Sequence, residues 1–455
     1  MHRPFPSLVA GTTLLFLVAC KDLMVPDLNN TSLSDLENNP TAAKIATAAQ
    51  GLLAGTRENV AFYVRDLGIF GREGFDIEPT EPRTVTQLME GPLDPGSFGG
   101  GQWTAPYADI RNGNVLLRAL DKDQDMSAAD KEAVRGFAQT IQALDFLEVI
   151  VTRDSFGAPI AVDIDPLGAP ALIATRAQVY QHVLDLLDSA DTHLRAAGSA
   201  FPFRLSRGFS SFSDPPGLLA VNRALKARVE VYLDDWPSAL LALDSSFMDT
   251  TKSLRLGVYH SYSTQPNDEK NPNFDPVHLF ANPTLISAAQ RQGDGVTPDQ
   301  RVLDKITPAT APPPIDGVTS DQQFTLYSGP DSSITLIRNE ELILLRAEIA
   351  RAQGDLATAA QYINFIRERA GKLPRITNLA AQTPDSILTE LLYEKRYSLM
   401  WEGGHSWIDL RHYNRLLTLP RVATSGHFYT RMPFPTNECT PRSPQPPGCS
   451  FVSGF

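Results

Sequence analysis

Arg338-Asn-Glu-Glu-Leu-Ile-Leu-Leu-Arg-Ala-Glu-Ile-Ala-Arg-Ala-Gln353 runs into Gly354-Asp355, resumes as Leu356-Ala-Thr-Ala-Ala-Gln-Tyr-Ile-Asn-Phe-Ile-Arg-Glu-Arg-Ala370 and stops at Gly371. Both runs predict helices, and the Gly-Asp pair between them is a break followed by a capping carboxylate. A third helix starts at Thr383 as N-cap with Pro384 at its first position and Asp385 in its first turn, and turns Ile387, Leu388, Leu391 and Leu392 inward. It leads into Tyr393-Glu-Lys-Arg-Tyr-Ser-Leu-Met-Trp-Glu-Gly-Gly-His-Ser-Trp-Ile-Asp-Leu-Arg411, a block too specific in composition for generic surface. The first two helices are expected to pack as a hairpin.

The hairpin has an echo upstream. Leu225-Lys-Ala-Arg-Val-Glu-Val-Tyr-Leu-Asp-Asp-Trp-Pro-Ser-Ala-Leu-Leu-Ala-Leu243 aligns without gaps onto Leu345 to Ile363. Leu225 falls on Leu345, Ala227 on Ala347, Asp235 on Asp355, Ala239 on Ala359 and Leu243 on Ile363. Each copy has an acidic turn residue placed to cap its second helix, whose alanines permit close packing. The pattern resembles tetratricopeptide hairpins, although a regular spacing of about 34 residues is absent. Apolar residues at spacings of three and four also mark helices over 133–151 and 177–194, separated by the breaker Asp154-Ser-Phe-Gly-Ala-Pro159. The segment 246–334 is rich in Pro, Asn, Asp and aromatics and is read as a loop-rich insertion. Short strands are expected at Phe324–Tyr327 and Ile334–Ile337, and 413–455 reads mostly as loop. The fold class expected is mainly α, a tetratricopeptide-like helical-hairpin scaffold with long irregular insertions and a few short strands.

The 455-residue chain has a net charge of -12 and no basic run, which argues against nucleic acid and against docking to anionic lipid. Leu8 to Val18 is an apolar run too short to span a bilayer, and it ends in Leu17-Val18-Ala19-Cys20. Residues 1–19 therefore read as a signal peptide, and the ending resembles a bacterial lipobox in which Cys20 is lipidated. The polar stretch 20–40 reads as a tether, and 41–455 as a single α-rich domain, with 338–412 its defining block. Acyl chains on Cys20 provide stable anchoring where a single chain binds only marginally. Export to an oxidising compartment predicts a disulfide between Cys439 and Cys449, closing a Pro-rich loop.

Nothing in the sequence positively supports catalysis, a metal or a cofactor. Asp121 to Glu132 carries oxygens in the order of a calcium loop, but Met126 stands where the sharp turn needs Gly, so the stretch reads as an interhelical loop with Ser127 capping the next helix. Gly404-His-Ser-Trp begins like a nucleophile elbow without its second Gly or a preceding strand. Gly99-Gly-Gly101 lacks the Gly-Lys-Ser/Thr of a phosphate loop. Glu394, Glu402 and Asp409, with Arg396 and Arg411 nearby, read as ion pairs fixing a helix end.

Aromatic rings suit saccharides because their apolar faces stack on sugar C–H surfaces. Phe75, Phe98, Tyr259, Tyr262, Phe274 and Phe280 lie in stretches read as loops and are the ligand-binding candidates. For each, packing down onto the core is the competing reading.

Lipobox, scaffold and insertion together resemble the SusD/RagB family of nutrient-binding outer-membrane lipoproteins. Trp103-Thr-Ala-Pro-Tyr107 with Asn112 and Asn114, Asp154 to Pro159 with Phe156 for a usual Tyr, Glu348 to Arg369, Glu394-Lys-Arg396, Glu402-Gly403, Trp407-Ile-Asp-Leu-Arg411 and Met432-Pro-Phe-Pro435 are similar to its recurring segments. Ser398 and His405 depart from the family's usual Glu and Arg. The resemblance implies a non-catalytic, surface-exposed lipoprotein that captures oligosaccharide or another nutrient for a SusC-like TonB-dependent transporter. Two other readings stay open on the residues alone: a tetratricopeptide-type envelope assembly or peptide-binding lipoprotein, and a surface glycoside hydrolase.

Overall fold

A computed structural model describes residues 33–164, 168–309, 318, 320–421 and 427–455. The expected signal peptide 1–19 and Cys20 lie outside the described residues. The longer helices, in chain order, are α1 (Ala42–Gly55), α2 (Arg57–Phe70), α3 (Thr104–Lys122), α4 (Ala128–Arg153), α5 (Arg176–Ala196), α6 (Pro215–Tyr232), α7 (Trp236–Asp244), α8 (Asn339–Ala352), α9 (Leu356–Arg369), α10 (Pro384–Ser398) and α11 (His405–His412). The strands are short: β1 (Gly74–Asp76), β2 (Ala158–Pro159), β3 (Ile173–Ala174), β4 (Gly257–His260), β5 (Leu279–Ala281), β6 (Ile306–Pro308), β7 (Gln322–Phe324) and β8 (Ile334–Arg338). The fold is mainly α and tetratricopeptide-like.

Helices α3 to α6 pack each on the next, and the α6–α7 hairpin lies directly against α8, so the two copies of the sequence repeat are neighbours despite the insertion between them. Their turns have the same geometry. Asp234 and Gly354 take left-handed backbone at φ 60 and 82, and each is followed by an aspartate at φ -85 and -81. The Asp235 carboxylate accepts from the Ser238 amide at 3.2 Å and the Asp355 carboxylate from Thr358 at 3.0 Å. Each cap satisfies an amide that the helix start leaves without an intrahelical partner. Ile343, Ala347, Ala359, Ile363, Ile387 and Leu391 close a small core of their own between α8, α9 and α10.

The insertion is more structured than its composition indicated. Strands β5, β6 and β7 form a four-stranded antiparallel sheet with β1, in the order β1-β5-β7-β6, and β4 pairs with β8. The expected strand at Phe324–Tyr327 sits two residues earlier, ending at Phe324, which stacks on Trp401 at 4.5 Å. The lead-in read as a tether also differs. Leu33–Asn38 is a helix with Leu36 buried, and Arg118 on α3 donates to Glu37 at 2.8 Å. Between α3 and α4 the Asp123 carboxylate accepts from the amides of Asp125 and Met126, and Ser127 caps α4 by accepting from Asp130.

Segments distant in sequence converge at one end of the scaffold. Trp103 packs on Tyr107 at 4.7 Å and Phe434 at 5.2 Å, while Phe434 also meets Phe156. The Tyr107 hydroxyl donates to Pro159 O at 2.8 Å. A disulfide joins Cys439 to Cys449 over a Cα separation of 5.6 Å, and Phe434 N donates to Gly448 O across that loop.

The carboxylates of the closing block are buried and paired, but not with the expected partners. Glu394 meets Arg301 at 2.6 Å and Arg367 at 3.3 Å; Glu402 meets Lys305 and Arg338, each at 2.8 Å; Asp409 meets Lys395 at 2.6 Å. Arg411 instead donates to Val151 O and Thr430 O and lies over the Trp407 ring, and Nε and Nη2 of Arg396 have no hydrogen-bond partner among the described residues. Ser398 accepts from Arg301 at 3.0 Å. His405 is buried and pushed down to about 4, since burial disfavours its charged form more than Glu341 favours it. Ser406 is buried, with its hydroxyl towards Gly71 O.

Candidate functional site

Three of the six aromatic candidates belong to the core. Phe75 and Phe280 are cross-strand partners in β1 and β5, both 3% exposed, and the strand residues around them are buried as well. Tyr262, just beyond β4, is 1% exposed. These rings are unavailable for stacking on a ligand. A two-sided burial of short strands leaves no alternation in sequence, which is why their loop-like context misled. Phe98 and Tyr259 are half-buried and Phe274 is exposed. Tyr259 sits at a bulge in the β4–β8 pair, away from the other two in sequence.

Phe98 stands in the best-built of these settings. It begins a 3-10 turn, Phe98–Gly100, wrapped so tightly on Asp94-Pro95 that a Cβ on Gly99 would lie 2.7 Å from the Asp94 backbone and one on Gly100 2.2 Å from Pro95 O. The glycine run that offers no phosphate loop therefore fixes the base of an aromatic platform. From α2, Phe62 projects to the surface with 44% exposure. The Arg65 guanidinium lies 4.9 Å from the Phe62 ring centroid and 5.3 Å from that of Phe98, and Arg83 covers Phe98 at 5.4 Å. Cation–π attraction of this kind holds rings and guanidinium groups in one ridge.

Beneath the ridge every polar group on Arg65 is engaged. Nε and Nη2 contact Asp66 at 2.9 and 2.8 Å, and Nη1 reaches Asp76 on β1 at 3.1 Å. Gln102, in left-handed backbone at φ 55, donates to the other Asp66 oxygen at 2.8 Å and accepts from Asn59. Burial pushes the Asp76 carboxyl up to about 6, against the pull of Arg65. Alongside it His278 contacts Asp275 at 2.8 Å and Glu78 at 3.1 Å. Burial opposes protonation of this imidazole, but the Asp275 hydrogen bond and the two carboxylate charges outweigh it and raise its pKa. The result is a ridge of an exposed ring, Phe62, and a half-buried one, Phe98, over the buried Arg65 guanidinium, beside a rim of carboxylates and imidazole. It can stack on an apolar ring face and offer hydrogen bonds at its edge; it holds no nucleophile poised by a base.

Sequence reasoning singled out Phe98 and Phe274 but not Phe62, Arg65, Arg83 or His278. Phe62 carried a readable signal, since it lies on the polar face of an otherwise apolar helix turn. Among the described residues no group of His, Cys, Asp and Glu side chains could hold a metal ion, and no helix is long and apolar enough to cross a membrane.

Residues 305–444 match the model of the SusD family. No match is found among curated protein sequences. Among solved structures, the chain is similar to NanU of B. fragilis at 16% identity and a TM-score of 0.67, covering 92% of this chain and 99% of that one. It is similar to a SusD superfamily protein from Bacteroides vulgatus at 14% identity and a TM-score of 0.66, covering 91% and 99%. A laminarin-binding SusD-like protein aligns at 16% identity and a TM-score of 0.62, covering 90% and 98%. At these identities the likeness is one of fold, and the matched segment contains α8 to α11 with their buried ion pairs. Over residues 305–444 the sequence matches the SusD family, and the chain shares its fold with SusD-like proteins.

Proposed function

We propose that the protein is a non-catalytic nutrient-binding lipoprotein that captures oligosaccharide on the ridge of Phe62, Arg65 and Phe98. The observation that carries this reading is the ridge itself: an exposed ring and a half-buried ring share one guanidinium, which is held from below by Asp66 and Asp76. Such a platform keeps its shape without a ligand, so little ordering opposes binding. The names of two structural relatives support a saccharide ligand, one being laminarin-binding and one a putative sugar binding protein from Bacteroides vulgatus. Lipid attachment at Cys20 would place the ridge at the outer-membrane surface, and a SusC-like TonB-dependent transporter is the partner that receives the captured nutrient.

Titration of the purified chain against a panel of neutral oligosaccharides tests the binding claim. Binding by at least one, lost on Phe62→Ala and Phe98→Ala with unchanged thermal stability, is the expected result. Binding that survives both substitutions would overturn the ridge assignment. Incorporation of labelled palmitate that disappears in Cys20→Ala, and co-purification with a large β-barrel, are expected for the anchored, transporter-linked state. Absence of both would overturn that part.

A further inference from the structure

A second surface feature lies between the insertion and the C-terminal helices. It is a cleft of about 490 Å³, within the ~300–1,000 Å³ of ordinary small-molecule sites. Its lining carries six cationic side chains, Arg255, Arg301, Lys305, Arg338, Arg369 and Lys372, against three carboxylates, in a chain whose net charge is -12. Concentrating positive charge in a cleft of an acidic protein raises the local density of anions.

The three carboxylates are already engaged. Glu402 accepts from Lys305, Arg338 and Thr335; Glu340 pairs with Arg338; Asp304 accepts from Gln300 at 2.8 Å. The cations divide into a floor and a rim. Arg301, Lys305 and Arg338 are buried and ion-paired, Arg301 with Asp299 and Glu394 and the other two with Glu402, so they set the floor. Arg255 and Lys372 are exposed and make no ion pair with any described residue, and Arg369 has only the ring of Phe365 beneath it, at 5.5 Å.

The backbone aims this rim. Lys372 takes left-handed backbone at φ 55 immediately after Gly371. A Cβ on Gly371 would meet Arg301 Nη2 and Arg367 O, each at 2.9 Å, and its carbonyl accepts from Gln300 N at 2.9 Å. The turn that ends α9 is thus pinned to the floor, and it presents Lys372 at the mouth. The Tyr259 hydroxyl donates to the Arg255 backbone carbonyl, which holds a half-buried ring against the backbone that carries this rim arginine. Hydroxyls of Thr325, Ser328 and Ser333 line the space between. Unpaired cations at a mouth, hydroxyls along a wall and one ring together match a sugar that carries negative charge.

We propose that this cleft binds an anionic saccharide, one whose carboxylate or sulfate is met by Arg255, Arg369 and Lys372 while its ring rests against Tyr259. The proposal takes the ligand class from the saccharide-capture reading, but it rests on residues separate from the Phe62–Phe98 ridge. Charge-assisted contacts to exposed cations weaken as salt rises.

Calorimetric titration of the full chain with trigalacturonate, a sulfated chondroitin disaccharide and neutral laminaritriose tests it. At least one of the two anionic probes is expected to bind. Its affinity should fall at least about tenfold in the R255A/K372A double variant and again as NaCl rises from about 0.05 to 0.5 M, a loss typical of charged hydrogen bonds. F62A/F98A should leave that affinity unchanged. Failure of both anionic probes to bind, or their indifference to R255A/K372A, overturns the cleft proposal. Laminaritriose binding that is lost in F62A/F98A while the cleft variant is silent would leave saccharide capture standing and remove the cleft from it. The two rim side chains have no ion-pair partner among the described residues, so a thermal melt matching the parent chain separates loss of binding from loss of fold.

Discussion

Lys395 and Glu348 meet at 2.8 Å in the protein interior, with side chains 2% and 1% exposed, and so tie α10 to the first helix of the C-terminal hairpin. The same ammonium donates to Asp409 at 2.6 Å, and Tyr413 donates to Glu348 at 2.7 Å. Burial disfavours the Glu348 charge, but Lys395 and Tyr413 outweigh it and hold its pKa below the usual carboxylate range. One cation thereby faces two buried acids, and burial still pushes Asp409 up to about 7 against its pull. Lys395→Met should strand both and destabilise the protein by about 3–5 kcal/mol in urea unfolding at neutral pH. Adding Glu348→Gln should recover part of that loss. A single variant within about 1 kcal/mol of the parent would show that the two acids are neutral in the folded state.

Glu73 makes the stability depend on pH. It is fully buried; Trp401 N donates to one oxygen at 3.0 Å, and the other has no hydrogen-bond partner among the described residues. Burial raises its pKa from 4.5 to about 8, only partly offset by the Trp401 amide and distant cations. The folded state therefore holds a proton that the unfolded state releases above about pH 4.5. Its destabilising contribution grows from there to about pH 8 and is constant beyond. Glu73→Gln should match the parent at pH 4 and exceed it at pH 9 by on the order of a few kcal/mol. Equal stability across that range would contradict the buried, protonated carboxyl.

Two glycines with left-handed backbone should respond differently to alanine. Gly354, φ 82, has open space where a Cβ would go, so Gly354→Ala carries only the backbone strain, about 1 kcal/mol. Gly404, φ 71, would place a Cβ 2.2 Å from that of Leu67. Gly404→Ala adds a core clash between α2 and α11 and should cost roughly 3 kcal/mol or more. The ranking is measurable by thermal denaturation, and a reversed order would refute the placement of Leu67. Asp234 occupies the position equivalent to Gly354 at φ 60, so Asp234→Gly should be neutral or mildly stabilising.

Loss of the Cys439–Cys449 bridge should lower stability by about 3 kcal/mol, the chain-entropy value for so short a loop. Its effect should be local to the C-terminal segment, where Leu93 pairs with Val452 and Phe434 with Gly448. Hydrogen exchange in the double Cys→Ala variant should rise there and stay unchanged in α8 to α10. Global loss of protection would assign the bridge a larger role.

The sequence by itself determined what local rules decide. Helices α8, α9 and α10, the capping aspartates Asp235 and Asp355, and the Thr383 cap all follow from periodicity and capping within a few residues. The kinship of 225–243 with 345–363 was visible as a gapless alignment, and it became a pair of neighbouring hairpins with matching turns. Tertiary structure alone decided the rest. Phe75 is buried because β1 pairs with a strand about two hundred residues away, and a strand covered on both faces shows no alternation to read. Glu394 and Glu402 found their cations, Arg301 and Lys305, in the insertion rather than in their own helix. The ridge depends on α2, the Phe98 turn and Arg83 meeting at one place, and the cleft on Arg255, Arg369 and Lys372 meeting at another. Local spacing sets helices because their hydrogen bonds close within four residues; sites are set by contacts between segments, which no spacing records.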